Sequence, residues 1–269
     1  MSLDENNRTD QLEALAVKLA SAWLNHLLIE NLIEDELPQN RTEAYLVQDL
    51  MIKQIGQSIS GWKVGATSAK MRDMDGHTDV IPGRIFKSDT YHGKQVKLPI
   101  ERFPRARVET EFAFRLLTDY PADQAPWSDE DLIERVVLHP AIEIIGNRHV
   151  FPHGTKEKKS LMTIADNGGG IGFVFGEAYE NWQDIDFQNH LIILSVDEKE
   201  PAENFLGELR GAPLKALADL LNHIAQRGYS LHVGDYVSTG AATVPQPFQK
   251  GSVVNADFGN AGSITLQFG

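Results

Sequence analysis

The chain has 269 residues, with 25 Lys and Arg against 38 Asp and Glu, a formal charge of −13 at pH 7. That balance leaves no basic stripe to track a nucleic acid and disfavours an anionic membrane surface. The absence of Cys excludes disulfides, Cys-ligated zinc, iron–sulfur clusters and thiol nucleophiles.

At roughly 100–200 residues per domain, the length fits one large domain or two small ones. No apolar run approaches the ~20 residues of a spanning helix. The opening MSLDENNRTD is acidic and polar, the opposite of a signal or transit peptide, so a soluble, cytoplasmic protein is expected.

In chain order, Leu12, Leu15, Leu19 and Trp23 recur on one face of a 3.6-residue period and predict a helix, with Asp10 and Glu13 as its capped start. A second helix is expected from Thr42, with Leu46, Leu50 and Ile55 on its apolar face and Gly56 as its stop. Beyond Gly61 the texture becomes short β-type runs bounded by Gly, Pro and Asp: 62–66, 95–98, 106–116, 141–145, 171–175, 190–196, 236–239, 252–257 and 263–268. Two helices should interrupt them. Ser128 with Asp131 reads as a capping box ahead of Leu132, Val136 and Val137. Pro213 opens the other, striped by Leu214, Leu217, Leu221 and Ile224 and stopped at Gly228. The strands are too many and the helices too few for regular βαβ alternation. The expected fold is α+β, a helical N-terminal segment (1–58) on a large, mostly β domain (59–269).

The run Arg105-Ala106-Arg107-Val108-Glu109-Thr110-Glu111-Phe112-Ala113-Phe114-Arg115-Leu116 carries the strongest chemical signal. As a strand it places Arg107, Glu109, Glu111, Ala113 and Arg115 on one face, with the two glutamate α-carbons about 6.7 Å apart. Like charges that close repel unless something positive intervenes. A solvated face neutralised by Arg107 and Arg115 would account for them plainly. A second anomaly is Glu143, alone among aliphatic residues in Pro140-Ala141-Ile142-Glu143-Ile144-Ile145. It either faces water from an edge strand or is a costly buried carboxylate. Joined, Glu109, Glu111 and Glu143 form an all-oxygen donor set suited to Mg²⁺ or Mn²⁺ rather than Zn²⁺. Lys63, in Gly61-Trp62-Lys63-Val64-Gly65, either snorkels to the surface or serves a substrate carboxylate or a proton transfer.

Other signals carry less. His149 and His153 are four apart, but Pro152 between them disfavours a helical zinc pair. Gly168-Gly169-Gly170-Ile171-Gly172 lacks the dinucleotide order and reads as a tight turn against a strand. Neither a phosphate-binding P-loop nor a G-x-S-x-G elbow occurs. The charged run 156–159 reads as a solvated loop, with a mobile lid as the alternative.

Taken together these residues resemble the 2-keto-4-pentenoate hydratase and 4-oxalocrotonate decarboxylase group, within the fumarylacetoacetate hydrolase-like superfamily. The match runs in order through Glu43-Ala44-Tyr45 with Gln48, Gly61 to Gly65 and Thr67-Ser68. It continues through the Pro104–Glu111 strand, the Glu143 strand, Ala165-Asp166-Asn167, Gly234 to Gly240 and Gly262-Ser263. The resemblance implies a β roll like the C-terminal domain of fumarylacetoacetase. Glu109, Glu111 and Glu143 would hold Mg²⁺ or Mn²⁺, with Lys63 as the active-site lysine. Asp166, Asn167 and Thr239 would be substrate contacts, and His77 and Asp79, in the lid segment, acid–base groups.

Substrates would be short unsaturated 2-oxo acids or their dienols, and hydration of a 2-hydroxypenta-2,4-dienoate is the leading reaction. A decarboxylase of the 4-oxalocrotonate type is the alternative, because Ile81 stands two residues before Gly83, where hydratases of this type carry Asp. Asp166-Asn167-Gly168-Gly169 likewise replaces the group's Asp-Asn-Ala-Ser and lacks its hydroxyl. Hydrolytic cleavage of an acylpyruvate and an inactive partner subunit are further options. Homo-oligomers and association with a pathway enzyme are expected by the same resemblance.

Overall fold

The computed structural model describes residues 3–150 and 154–269, and the side chains of its first helix from Asn7 onward. Helix α1 (Leu3–Leu24) packs on α2 (Arg41–Ile55), and Leu12, Leu15, Leu19 and Trp23 are all buried. Asp10 is not the start of α1: it and Glu13 lie on the exposed side, one and a half turns or more inside the helix. Arg8 explains the extension, since it pairs with Glu43 and donates to the carbonyls of Asp35 (2.6 Å) and Leu37 (2.7 Å). Helix α2 is capped by Asn40, whose side chain accepts from the Glu43 N–H, and ends at Gly56 with φ 63°. Its buried face is Ala44, Tyr45, Val47, Gln48, Met51 and Ile55. Leu46, expected on that face, is 41% exposed.

The strands after α2 are β1 (Ile59–Gly65), β2 (Ile81–Phe86), β3 (Thr90–His92), β4 (Gln95–Leu98), β5 (Arg107–Leu116) and β6 (Val136–Ile145). They are followed by β7 (Gly170–Phe175), β8 (Ile193–Val196), β9 (Tyr236–Ala241), β10 (Gln246–Pro247), β11 (Val253–Asp257) and β12 (Ser263–Phe268). The large sheet runs β2-β1-β9-β5-β6-β7-β3, with β10 added to β5, and a smaller sheet runs β4-β12-β11-β8. The short helix α3 (Ala69–Asp75), α4 (Lys156–Ala165) and α5 (Pro213–Ala225) complete the architecture. One hydrophobic cluster runs from Leu12 of α1 to Phe268 of β12, so the N-terminal helices share the core of the sheets.

Two expectations about local structure are corrected. Ser128 and Asp131 do interact, the Ser128 N–H (2.8 Å) and hydroxyl (2.7 Å) both donating to the Asp131 carboxylate, but they close a turn and no helix follows. Val136 and Val137 instead open β6, which pairs antiparallel with β5 over ten residues, from Val136 opposite Leu116 to Ile145 opposite Arg107. The ladder to β5 pairs this backbone along its length and buries most of its side chains. The run 156–159 is likewise the first turn of α4, capped by Thr155, and not a loop. Its far half, Ser160 to Ala165, supplies the buried face.

Candidate metal centre and active-site cavity

The β5–β6 register sets Glu109 directly opposite Glu143. Glu111 follows two residues along β5 on the same face. Like charges paired across a ladder destabilise it, yet all three are buried, at 7%, 1% and 0% exposure for Glu109, Glu111 and Glu143. Each offers a carboxylate oxygen within 4.8 Å of the others. The solvated-face account therefore fails, as does an edge position for Glu143, because β6 lies between β5 and β7.

Lys63 does not snorkel. It reaches the trio from β1, across β9, and is 6% exposed. Its Nζ donates to the Gly168 carbonyl at 2.9 Å and sits 3.4 Å from Glu143 Oε1. Burial alone would lower its pKa, but Glu143, Glu111 and Glu109 hold it above the ordinary value. Burial, and then Glu111, pushes the Glu109 carboxyl up to about 8. Burial also drives Glu143 well above the usual carboxylate range.

Glu111 is braced by hydrogen bonds from the Ser238 hydroxyl and the Gly240 N–H. Both oxygens of Glu143, by contrast, lack a hydrogen-bond partner. One lysine cannot balance three buried carboxylates, and the deficit equals the charge of one divalent cation. Orphaned oxygens, mutual spacing and hard donor chemistry all fit a divalent ion here.

The glycine run makes room for this cluster. Gly168 takes φ 71°, which directs its carbonyl to Lys63 in the turn. A Cβ on Gly170 would meet Glu143 Oε1 at 2.3 Å and Phe173 Cζ at 2.6 Å.

Above the trio opens a cavity of about 670 Å³. Lys63, Glu109 and Glu111 line it, as do Thr67, Asp75, His77, Ile81, Arg105, Arg107, Asn147 and His149. His77 Nδ1 lies 2.6 Å from Ser160 Oγ of α4. Burial, aided by Arg41 and Lys63, lowers its pKa to about 4, so the imidazole is neutral at pH 7. Asp75, at the end of α3, has its carboxyl raised by burial, against the pull of Lys156.

Four expected site residues are not brought to this cavity. Asp79 accepts from the Val80 N–H at 2.8 Å and lines a separate cavity beside Arg72 and His223. Asp166 is filled by structural donors: Trp23 Nε1 at 2.8 Å, the Arg148 N–H at 2.6 Å, and His149 Nδ1 at 2.9 Å. Asn167 pins β2, accepting from the Arg84 N–H (2.6 Å) and donating to the Arg84 carbonyl (2.8 Å). Thr239 donates to the Phe112 carbonyl at 2.6 Å. Sequence reasoning, in turn, passed over Asp75, Arg105, Asn147 and the cavity position of His149; His153, its supposed partner, lies outside the described residues. Arg107, expected on the glutamate face only as a neutralising charge, lines the cavity as well.

No family model matches the chain. The fold nevertheless has solved counterparts. It superposes with TM-score 0.81 on the 4-oxalocrotonate decarboxylase of Pseudomonas putida G7 complexed with magnesium and adipate, at 23% identity, covering 97% of this chain and 98% of that one. It also superposes with TM-score 0.54 on a putative fumarylacetoacetate hydrolase family protein of Yersinia pestis CO92, at 15% identity, covering 77% of this chain and 91% of that one, so the fold is of that kind. In sequence the chain is 26% identical to the 2-oxo-hept-4-ene-1,7-dioate hydratase of Escherichia coli, over 84% of this chain and 86% of that protein. It is 28% identical to the TodF product hydratase of Pseudomonas putida (84% and 83% covered). It is 24% identical to a 4-oxalocrotonate decarboxylase of Pseudomonas putida (97% and 99% covered). Within that fold the chain is similar in sequence to these hydratases and decarboxylases. No helix among the described residues is long and apolar enough to cross a membrane.

Proposed function

We propose that the protein is a divalent-metal-dependent lyase acting on a short unsaturated 2-oxo acid, with hydration of a 2-hydroxypenta-2,4-dienoate-type substrate as its reaction. The observation that carries this reading is the buried trio Glu109, Glu111 and Glu143, with ligand atoms within 4.8 Å, beside a buried lysine at the floor of a cavity. These three residues would hold Mg²⁺ or Mn²⁺, which, when bound, supplies Lewis-acid stabilisation of negative charge on the substrate's 2-oxygen.

The reaction loses the proton of the 2-hydroxyl, adds a proton at C5, then adds hydroxide at C4 and a proton at C3, for a net gain of one water. Lys63, held protonated by the surrounding carboxylates, donates hydrogen bonds to the substrate carboxylate or 2-oxygen and fixes its orientation. His77, neutral and steadied by Ser160, is the cavity group that takes and returns a proton at the dienol carbons. Met71, Met74, Leu209 and Phe205 supply apolar wall that limits water around the reacting carbons.

Decarboxylation is supported by a different observation. Ile81, an aliphatic residue, lines the cavity beside Gly168, where it can neither deliver nor receive a proton. Self-association belongs to the same reading and is checked by sedimentation. The test of function is an ultraviolet assay with 2-hydroxypenta-2,4-dienoate, with and without Mg²⁺, and mass analysis of the product. Metal-dependent loss of the dienol with gain of one water supports hydration. Loss of carbon dioxide from 2-oxohex-3-enedioate, with the dienol untouched, replaces hydration by decarboxylation. Turnover of neither leaves the inactive-partner reading.

A further inference from the structure

We infer that the cavity shared by Asp79 and His223, separate from the metal centre, is a binding site for the phosphate group of a small molecule. It goes beyond the reaction proposed above and does not depend on it.

The cavity encloses about 330 Å³, at the small end of ligand-sized pockets, which leaves room beside a phosphate for an organic part. Arg72 of α3 lines one side. Lys215, Asp219, Asn222 and His223 line another, at the three- and four-residue steps of one face of α5, while Leu217, Leu220, Leu221 and Ile224 turn to the core. Thr67 lines both this cavity and the metal cavity, so the two are neighbours.

The local charge runs against that of the chain. On the lining, Asp219 already holds Lys215 at 2.9 Å, and Asn222 is bonded to both backbone groups of Trp127. Arg72 makes no ion pair among the described residues, only a hydrogen bond to the Ala66 carbonyl at 2.9 Å. Balance by Asp79 across solvent is the plain account of it. Two more guanidiniums stand directly behind the wall, however. Arg41 donates to the carbonyl of Val80, a lining residue, at 2.7 Å. Arg227 lies 4.1 Å over the ring of Tyr45, which packs on His223. Burial lowers the His223 pKa, Asp79 opposes it, and Arg227 and Arg41 lower it further, so all three charges act on that ring. The remaining acid, Asp49, is shared by Arg227 and Arg84. Five basic side chains thus meet three acids in a protein of net charge −13. A local positive excess of this kind draws an anion.

Buried nitrogens here also lack partners. His223 Nδ1, Arg41 Nη1 and Arg227 Nη1 have no hydrogen bond, a condition buried polar groups rarely keep without reason. The basic groups come from α2, α3 and α5 with its C-terminal turn, not from one planar fork. Donors spread over several directions suit a tetrahedral oxyanion, whereas one guanidinium suffices for a planar carboxylate.

The test is calorimetric titration of the metal-free protein, held in chelator, with inorganic phosphate and with glycerol 3-phosphate. Without metal the glutamate trio repels phosphate, so binding has to occur elsewhere. Wild type should bind phosphate with a Kd of about 1 mM or tighter, and glycerol 3-phosphate more tightly still. Arg72→Met should weaken binding about tenfold and Lys215→Met about threefold, and Arg72→Lys should restore part of the loss. Lys199→Met, at an exposed position after β8, should bind as wild type does. Bound phosphate should slow amide exchange in 66–76 and 213–226, the segments that carry Arg72 and the α5 face. Equal affinity for the two ligands overturns the organic part and leaves a site for the free ion. No binding at about 10 mM phosphate overturns the site, as do Arg72→Met and Lys215→Met titrations that both match wild type. An equal loss in Lys199→Met, or exchange slowed only outside those segments, overturns it as well.

Discussion

Two buried acid sites in this fold, Asp166 and the glutamate trio, have opposite character. Asp166 has every bond it needs, from an indole, a backbone N–H and an imidazole. Glu143 is equally buried and has neither oxygen hydrogen-bonded, and the two glutamates beside it sharpen its repulsion. A satisfied buried carboxylate holds a fold together, whereas an unsatisfied cluster is a cost retained for something that binds there. The difference lies in the partners, not in burial, and each prediction below acts on one side of it.

The largest expected effect is on function. Glu109→Gln should lower turnover by about a thousandfold or more, because charge stabilisation at the 2-oxygen is lost. It should also remove the rise in melting temperature on adding Mg²⁺ that linkage predicts for wild type. The metal-free variant should melt at or above the metal-free wild type, since the repulsion between Glu109 and Glu111 is gone. A variant that melts well below wild type would mean that Glu109 is a structural acid like Asp166.

Asp166→Asn should do the reverse. Replacing the carboxylate keeps the shape but turns one acceptor oxygen into a donor facing existing donors. The expected loss is about 2–4 kcal/mol of stability, read as a lower denaturation midpoint with unchanged Mg²⁺ affinity in the folded fraction. Retained stability with lost activity would return Asp166 to the substrate-contacting role that the family resemblance implies.

Gly170→Ala probes the space between the clusters. Its Cβ would lie 2.3 Å from Glu143 Oε1, so the carboxylate or the strand has to move. Overpacking of this kind costs about 1–3 kcal/mol. Mg²⁺ affinity should fall about tenfold or more in calorimetry, while far-ultraviolet dichroism stays the same. Wild-type affinity would show that Glu143 does not need its position to bind metal.

The two clusters were not equally legible in the sequence. Glu109 and Glu111 betray themselves by alternation within a strongly apolar strand, and Glu143 by being the lone charge among aliphatic neighbours; both are local patterns. Asp166 gives no such signal, because its indole donor, Trp23, is 143 residues away. A polar Asp-Asn before a glycine run looks like a loop that meets ligand until its partners are placed. Range also explains the errors of secondary structure. The Ser128–Asp131 contact is real, but the chain that follows is claimed by pairing with β5, which no local window contains. Pro140 inside a central strand, where proline is rarely found, hid the first half of β6. The runs that became α3 and β2 were too short or too rich in Gly and Pro to show a period. The buried stripe of α1, the start of α5 and strands β4 and β12 of the smaller sheet, where burial follows a simple stripe or alternation, were readable, whereas the start of α1 was not.

The smallest effect concerns buried groups that resolve their cost by staying neutral. Burial lowers both His77 and His223 to about 4, and neither makes an ion pair among the described residues. In the unfolded chain a histidine takes up its proton near 6.5. As pH falls from 6.5 toward 4, the unfolded state therefore gains protons that the folded state refuses, and stability is lost across that window. The contribution is complete above pH 6.5 and gone below the folded values. Replacing His223 with Asn should flatten the fall in melting temperature between pH 6.5 and 4.5 by a few degrees, after subtraction of its effect at pH 7.5. His223 is the better of the two to replace, because it packs against Tyr45, ring centroids 5.1 Å apart and tilted by 57°, and does not line the metal cavity, so activity can be followed independently. An unchanged slope would mean that His223 is protonated in the folded protein, with Asp79, which shares its cavity, as the acid that holds the charge.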